Sequence, residues 1–391
     1  MVSSYLRKLN YKGSITIISE ENFLPYQRPP LSKAFINDEL EQEKLLLKSE
    51  AYYKKNEIEL LINKRVTNIS RKEKFIEISN LKYKYEYLVI ATGSKPRNFQ
   101  FTCDENNIHY LRTLNDACQI RSTLKKVKTI VIIGAGYIGL EVASIAIKKN
   151  LKVIVIEAGE RVMNRVVCKT TSDFFQKKHE TQGVEFIFNS MVQDIQDGEN
   201  KQKRIICNNG LIITADAVIV GAGIKPNTSL AKDGNIECNN GIIVNELGQT
   251  NDKNIYATGD CTNHPNEIYE TRLRLESVHN AVEQSKTVAS SITGEINPYC
   301  EVPWFWSDQY DLKLQLAGIS NNFDDFVIRG QTKNEIFSVI YLRNKKVIAI
   351  DSINDRKTFM TGKKIIHSKI IIKKSDLKDE KINLKHFLKV N

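Results

Sequence analysis

The sequence predicts an α/β protein in which two parallel-sheet β-α-β units are followed by a separate α+β module. Three observations carry that expectation. Thr129 to Glu157 reads as strand, glycine turn, helix, strand and acid in one short run. Val2 to Glu20 repeats the later part of that order: helix, strand, acid. From Pro303 the pattern changes to short alternating strands.

The run Thr129 to Ile133 is short, apolar and β-branched, as a buried parallel strand should be. Gly134-Ala-Gly136-Tyr-Ile-Gly139 follows it, a helix is expected to about Lys149, and a second strand, Lys152 to Ile156, ends at Glu157. A glycine motif alone says little; in this context it is the Rossmann dinucleotide fingerprint. Gly134 allows the tight turn, Gly136 lets the backbone approach a pyrophosphate, and Gly139 lets helix and strand pack closely. Glu157 is placed to accept hydrogen bonds from ribose hydroxyls and to repel a 2′-phosphate, which favours NADH over NADPH, although Arg161 and Arg165 follow closely.

At the N-terminus Val2, Tyr5, Leu6 and Leu9 recur at helical spacing, Gly13 breaks the chain, and Ser14 to Ile18 reads as a strand closed by Glu20. The first strand and glycine loop of such a unit have no counterpart ahead of this helix, so a truncated or misassigned start is expected. A variant that does without the nucleotide of this unit is the alternative. Three further strands run into glycine turns: Tyr87 to Ile90 into Ala91-Thr92-Gly93, Ala217 to Val220 into Gly221-Ala222-Gly223, and Ile255 to Thr258 into Gly259-Asp260. Such endings suit ligand edges at the carboxyl ends of parallel strands. Helices are expected over Thr171 to Gln182 and Leu273 to Thr293. In the C-terminal module, strands are expected at Lys313 to Gly318, Asp325 to Gly330, Glu335 to Leu342 and Lys346 to Ser352. Helices near Arg356 to Ile366 and Leu384 to Leu388 complete it.

A chain of 391 residues exceeds one ordinary core. Its 41% hydrophobic and 26% charged residues are those of a globular protein, no apolar run suggests a membrane span, and Met1 to Asn10 lacks the apolar centre of a signal peptide, so a cytoplasmic protein is expected. The net charge of +11 fits either a basic face that steers an acidic partner or a lysine-rich background. No nucleic-acid signature is present. The seven cysteines, Cys103, Cys118, Cys168, Cys207, Cys238, Cys261 and Cys300, form no close pair, which leaves metal and dithiol motifs unsupported.

Six strings occur in a familiar order: Tyr26-Gln-Arg28-Pro-Pro-Leu-Ser-Lys33, Ala91-Thr-Gly-Ser-Lys-Pro, Gly134 to Glu141, Gly259-Asp260-Cys261, Leu275-Glu-Ser-Val-His-Asn280 and Pro303-Trp-Phe-Trp-Ser-Asp-Gln309. Together they resemble the NADH-dependent, FAD-containing reductases that serve 2Fe–2S ferredoxins in bacterial oxygenase systems. The resemblance implies a glutathione-reductase-like fold: a discontinuous FAD domain (1–112 and 238–298), an NAD domain (113–237) and a C-terminal module (299–391). It implies FAD and NAD as cofactors, NADH and an acidic 2Fe–2S ferredoxin as partners, and a monomer or weak dimer.

For single residues, the resemblance places Lys33 next to flavin N5, paired with Glu141, and Trp306 against the isoalloxazine near the partner-facing surface. It gives flavin contacts to Val66, Arg112, Asp260 and Val278, and an adenosine-ribose role to Glu20; Arg28, Ala91, Thr92 and Gly93 are further cofactor-binding candidates. Gly223 joins Gly134, Gly136, Gly139 and Glu157 around the nucleotides. His279 is expected to be a packed or surface histidine. A disulfide reductase or peroxide-reducing oxidase of this fold needs a cysteine beside the flavin, and the first cysteine, Cys103, comes well after the Lys33 loop. Quinone or monodehydroascorbate reduction needs no thiol and stays open, as does a non-catalytic protein like the apoptosis-inducing-factor relatives.

Overall fold

The computed structural model describes residues 1–388. The chain divides into two compact units, one formed by Met1–Tyr26, Leu46–Lys95 and Lys225–Phe305, the other by the remaining segments.

In the first unit, the strand Ile15–Ile18 pairs parallel with Ile58–Leu61, and Leu88–Ile90 pairs parallel with Ile255–Ala257. These pairs form two separate two-stranded sheets. One apolar cluster packs against strands of both: Leu6 from the helix Val2–Lys8, Ile15, Ile58, Tyr256, and Val288 and Ile292 from the helix Val278–Ile292. The spacing of Val2, Tyr5, Leu6 and Leu9 is what turns one face of the first helix into that cluster. Arg7 donates to the carbonyls of Asn56, Tyr11, Gly13 and Glu57 at 2.7–3.0 Å, which ties the helix to the turn before Ile58. A meander of Asn68–Ser70, Phe75–Ile78 and Leu81–Lys84 contributes Ile69 and Ile76 to a second core with Ile90, Ile236 and Ile255.

The helix expected from Leu273 starts at Val278 instead. Thr271–Leu273 is drawn into an antiparallel pair with His264–Asn266, and Ser277 caps the helix by accepting the Asn280 N–H at 3.1 Å. A local periodicity cannot reveal a competing partner five to nine residues upstream.

In the second unit, five parallel strands run in the order Val184–Ile187, Lys152–Ile156, Thr129–Ile133, Ala217–Val220, Ile108–Tyr110. The central strands are apolar on both faces because helices cover them. The helix Tyr137–Lys148 buries every residue from Gly139 to Ala146. Helix Leu114–Thr123 opens on a reciprocal capping box between Thr113 and Asp116. An antiparallel meander, Val192–Asp197, Lys203–Cys207 and Ile212–Ala215, packs Ile195, Ile205 and Ile213 against Val131 and Val218.

The C-terminal sheet has the order Trp304–Gln309, Leu312–Gly318, Lys346–Ile353, Ile336–Arg343, Asp325–Gln331, and its last four strands are antiparallel neighbours. Helix Arg356–Ser368 buries Phe359, Ile365 and Ile366, and Gly362 lies so close to Ile350 that a Cβ would overlap its side chain. The expected element at Leu384–Leu388 is a 3-10 turn, and a short helix, Lys374–Lys378, precedes it. Buried Arg329 donates to the carbonyls of Leu377, Asp379, Glu380 and Ile382, at 3.0, 2.6, 3.3 and 2.8 Å.

Candidate active site

In the second unit, the glycine turn has the geometry that an anion needs. Gly134 has φ +101°, and a Cβ there would stand 2.7 Å from the Gly221 carbonyl oxygen. At Gly139 a Cβ would overlap the Gly134 carbonyl oxygen. Gly136 is the N-cap of helix Tyr137–Lys148; no side chain caps that end, and a Cβ on Gly136 would meet nothing within 4 Å. The space beside Gly136 thus lies open at the positive end of the helix dipole, a cradle that fits a pyrophosphate.

Glu157 lies beside this cradle. Its Oε2 accepts the Ala135 N–H at 2.7 Å and its Oε1 accepts the Gly159 N–H at 2.8 Å. Each oxygen keeps a lone pair for a ribose hydroxyl. Arg161 is turned into its own loop, donating to Val167 and Asn164 carbonyls at 3.0 and 2.9 Å. Gly223 (φ +92°) accepts the Arg97 N–H at 3.0 Å, and the Arg165 guanidinium lies nearby.

The same unit holds Lys33 and Glu141. Pro29–Ser32 forms a 3-10 turn, closed by the Lys33 N–H on the Pro30 carbonyl at 3.0 Å. The Lys33 Nζ stands 2.8 Å from Glu141 Oε2, with 17% of the lysine side chain exposed and none of the glutamate. Ser32 also donates to Oε2, and Ser307 donates to Oε1 at 2.6 Å. Burial pushes the Glu141 carboxyl above its usual range, opposed by Lys33, Ser307 and Ser32, which favour the charged form. Arg28 and Arg112 also meet: the Arg28 guanidinium donates to the Arg112 carbonyl at 2.7 Å. Trp306 is half-buried on the strand Trp304–Gln309.

In the first unit, Asp260 lies in the 3-10 turn Gly259–Cys261, and Ser94 donates to its Oδ2 at 3.0 Å. Because Leu88–Ile90 and Ile255–Ala257 run parallel, the Ala91-Thr92-Gly93 turn and Asp260 leave the same sheet edge. Thr92 donates to the Asn227 carbonyl at 2.7 Å and accepts from Asn227 Nδ2 at 2.9 Å through its carbonyl. Val278 is the exposed first residue of its helix, and Asn280 Oδ1, two residues on, is buried with no donor. An orphaned acceptor beside an exposed apolar residue at a helix N-terminus fits a bound polar-headed ring system such as FAD. Val66 is half-buried against the second core. Glu20 is exposed and pairs with exposed Arg65 at 3.1 Å. The His279 ring packs on Trp304 at 5.5 Å, as expected for a packed histidine.

All seven cysteines are free thiols, none of them on the Pro29–Lys33 turn, and no metal-holding cluster occurs among the described residues.

Sequence reasoning did not single out Ser32, Ser307 or Asp351. The two serines lie inside strings already quoted for the resemblance, so the signal was available. Asp351 carried none. It is buried in the C-terminal sheet, accepts from Tyr341 Oη and from Thr171 Oγ1 at 3.2 Å, and has Tyr137 close by. Desolvation pushes its carboxyl up to about 7. A raised native pKa stabilises the fold below the unfolded value of 3.8, and that contribution is lost as pH rises through about 7. The loss is about 4 kcal/mol at most, at 1.36 kcal/mol per unit. Asp351→Asn should therefore melt close to wild type at pH 4 and below, and several degrees above it at pH 8. A melting-temperature difference that does not change with pH would refute this account.

Two nucleotide-binding units, a pyrophosphate cradle and a buried lysine–carboxylate pair define a flavin- and pyridine-nucleotide-dependent oxidoreductase. Residues 2–285 match the family described as Pyridine nucleotide-disulphide oxidoreductase, and residues 304–388 match the Reductase C-terminal family. The chain belongs to the pyridine nucleotide-disulphide oxidoreductase family, with FAD and NAD(H) as its cofactors. It is 36% identical to rhodocoxin reductase of Rhodococcus erythropolis, over 97% of this chain and 90% of that protein. It is also 36% identical to putidaredoxin reductase CamA of Pseudomonas putida, over 98% and 92%. The crystal structure of the covalent putidaredoxin reductase–putidaredoxin complex superposes with a TM-score of 0.96 at 35% identity, covering 99% of this chain and 95% of that one.

Proposed function

We propose that this protein carries electrons from NADH, through FAD, to a 2Fe–2S ferredoxin of an oxygenase system. The observation that carries the reading is the Pro29–Lys33 turn. Where thiol chemistry would need a cysteine, this turn presents a lysine ammonium held by a buried glutamate. Similarity to rhodocoxin and putidaredoxin reductases over nearly the whole chain points to the same class of acceptor.

Bound flavin supplies the two-electron to one-electron conversion that joins NADH to an iron–sulfur protein. The chain's own residues do the rest. Gly134, Gly136 and Gly139 seat a pyrophosphate on the helix N–H groups, and Glu157 accepts the ribose hydroxyls. Lys33 supplies a fixed positive charge that stabilises the reduced ring, and Glu141 keeps that charge in place. Asp260, with Thr92 and Gly93, holds the ribityl and phosphate region, Glu20 the adenosine ribose, and Val66 and Val278 apolar contacts. Arg28, Arg112, Ala91 and Gly223 line the nucleotides. Domain limits of 1–112 with 238–298, 113–237 and 299–391 go with this reading. So do a cytoplasmic setting, a monomer or weak dimer, and an acidic ferredoxin drawn by the +11 net charge. No helix among the described residues is long and apolar enough to cross a membrane.

The test is anaerobic reduction of the FAD-loaded protein. NADH, but not NADPH, should bleach the flavin, and a 2Fe–2S ferredoxin should reoxidise it faster than a quinone does. A flavin that NADH leaves oxidised would end the proposal. Trp306→Ala should slow ferredoxin reduction about tenfold or more while ferricyanide reduction changes little; equal losses would remove Trp306 from the electron-exit surface.

A further inference from the structure

Glu141 is the end of a longer series of buried polar groups. Ser307 Oγ, which donates to Glu141 Oε1 at 2.6 Å, lies 3.2 Å from Gln309 Nε2. Gln309 Oε1 lies 2.9 Å from His179 Nε2, and the Tyr310 hydroxyl lies 3.0 Å from His179 Nδ1. Ser307, Gln309 and His179 are all fully buried, as is Glu141. The residues come from separate parts of the chain: a helix (His179), the strand Trp304–Gln309, the turn after it (Tyr310) and the helix that follows the glycine motif (Glu141).

The anionic end sets every proton. A carboxylate only accepts, so Ser307 must donate to it, and the serine oxygen is left to accept from the Gln309 amide nitrogen. That orients the amide with its oxygen toward His179. The histidine must then carry its proton on Nε2, and its bare Nδ1 accepts from Tyr310. Among the described residues His179 has no acid partner: Phe186 and Tyr310 flank its ring, and neighbouring Lys178 is turned to Asp311 and Glu335. Burial pushes the imidazole down to about 4, so the ring stays neutral in this tautomer at ordinary pH. The series does not conduct protons, because an amide in the middle cannot give up one proton while accepting another at the same atom. It orients.

We propose that Ser307, Gln309 and His179 are positioning residues for the Lys33 ammonium, a one-way series of hydrogen bonds that holds Glu141 ionised and pointed at it. The functional consequence rests on the role given above to Lys33; the state of the Glu141 carboxyl does not. The series also gives two residues of the Trp-Phe-Trp-Ser-Asp-Gln string, Ser307 and Gln309, a common task.

The test is an infrared pH titration of the whole protein, in which the protonated Glu141 carbonyl band is identified by its loss in Glu141→Gln. In Ser307→Ala the midpoint should rise by at least about one pH unit, a tenfold gain in proton affinity, because a donor to the charged form has gone. Gln309→Met, which keeps the buried bulk, should shift it less in the same direction, and Ser307→Thr should restore the wild-type midpoint. The rate of flavin reduction by NADH should fall in step with the midpoints, with NADH affinity unchanged. An unmoved midpoint in both Ser307→Ala and Gln309→Met overturns the proposal; if the alanine variant does not fold, the methionine variant decides alone. A shifted midpoint in a protein whose flavin NADH cannot reduce would leave the positioning series standing and remove the proposed function instead.

Discussion

Glu141→Leu is expected to slow reduction of the bound flavin by NADH about 100-fold, with NADH affinity little changed. Removing one partner of a buried ion pair strands the other, at a cost of about 3–5 kcal/mol when the remaining charge cannot escape. Lys33 can escape, because part of its side chain already reaches solvent while Glu141 has no exposure at all. The ammonium should therefore swing toward water. The stability loss then falls at or below the low end of that range, and the larger effect is a missing charge where the reduced ring needs one. Loss of one preorganised electrostatic contact of this kind is worth about 2.7–4 kcal/mol in a transition state. Stopped-flow reduction under anaerobic conditions measures it. Glu141→Gln keeps the shape and drops the charge, so it should fall between leucine and wild type. A leucine variant within twofold of wild type would show that Lys33 needs no anchor.

The second large effect belongs to the glycine turn, where two substitutions separate folding from binding. Gly139→Ala drives a methyl group into the Gly134 carbonyl oxygen, backbone that has nowhere to move because a Cβ on Gly134 itself would already crowd Gly221. The helix must lift from the strand, and both the melting temperature and NADH affinity should drop, the latter by about 100-fold or more. Gly136→Ala should behave differently. Its φ of −80° suits any residue, and its Cβ points into open space, so the fold should be kept. That space is where the pyrophosphate would lie, so NADH affinity should still fall about tenfold or more. Titration of NADH into each variant, alongside thermal melts, checks the contrast; unaltered NADH binding in Gly136→Ala would mean the nucleotide does not use this cradle.

The parts of the molecule that could be read in advance are those whose chemistry is local. The strand–glycine–helix run from Thr129 to Glu157 is contiguous, and the close approach of Gly139 to the Gly134 carbonyl lies within that run. Lys33 and Glu141 were paired from the resemblance alone, since 108 positions separate them and no spacing rule joins them. What escaped notice depends on distant partners. A helix expected from Leu273 begins only at Val278, because Leu273 is paired with His264 in a short antiparallel ladder. His179 sat unremarked on an amphipathic helix, and only the fold brings it against Gln309. Asp351 sits in a strand whose alternation is apolar enough to hide a carboxyl. The two meanders were missed because their short, charge-bearing strands lack a clean period of two.

Arg329 gives the last segment of the chain a purpose that its composition hides. The guanidinium is buried and answered by four main-chain oxygens between Leu377 and Ile382, and none of these partners among the described residues is an acid side chain. Cutting the chain ahead of Leu377 would leave a permanent cation dehydrated inside the sheet, since arginine does not shed its proton. A protease that nicks this stretch, or a fusion that replaces it, would thus damage the interior of the C-terminal sheet rather than trim its edge.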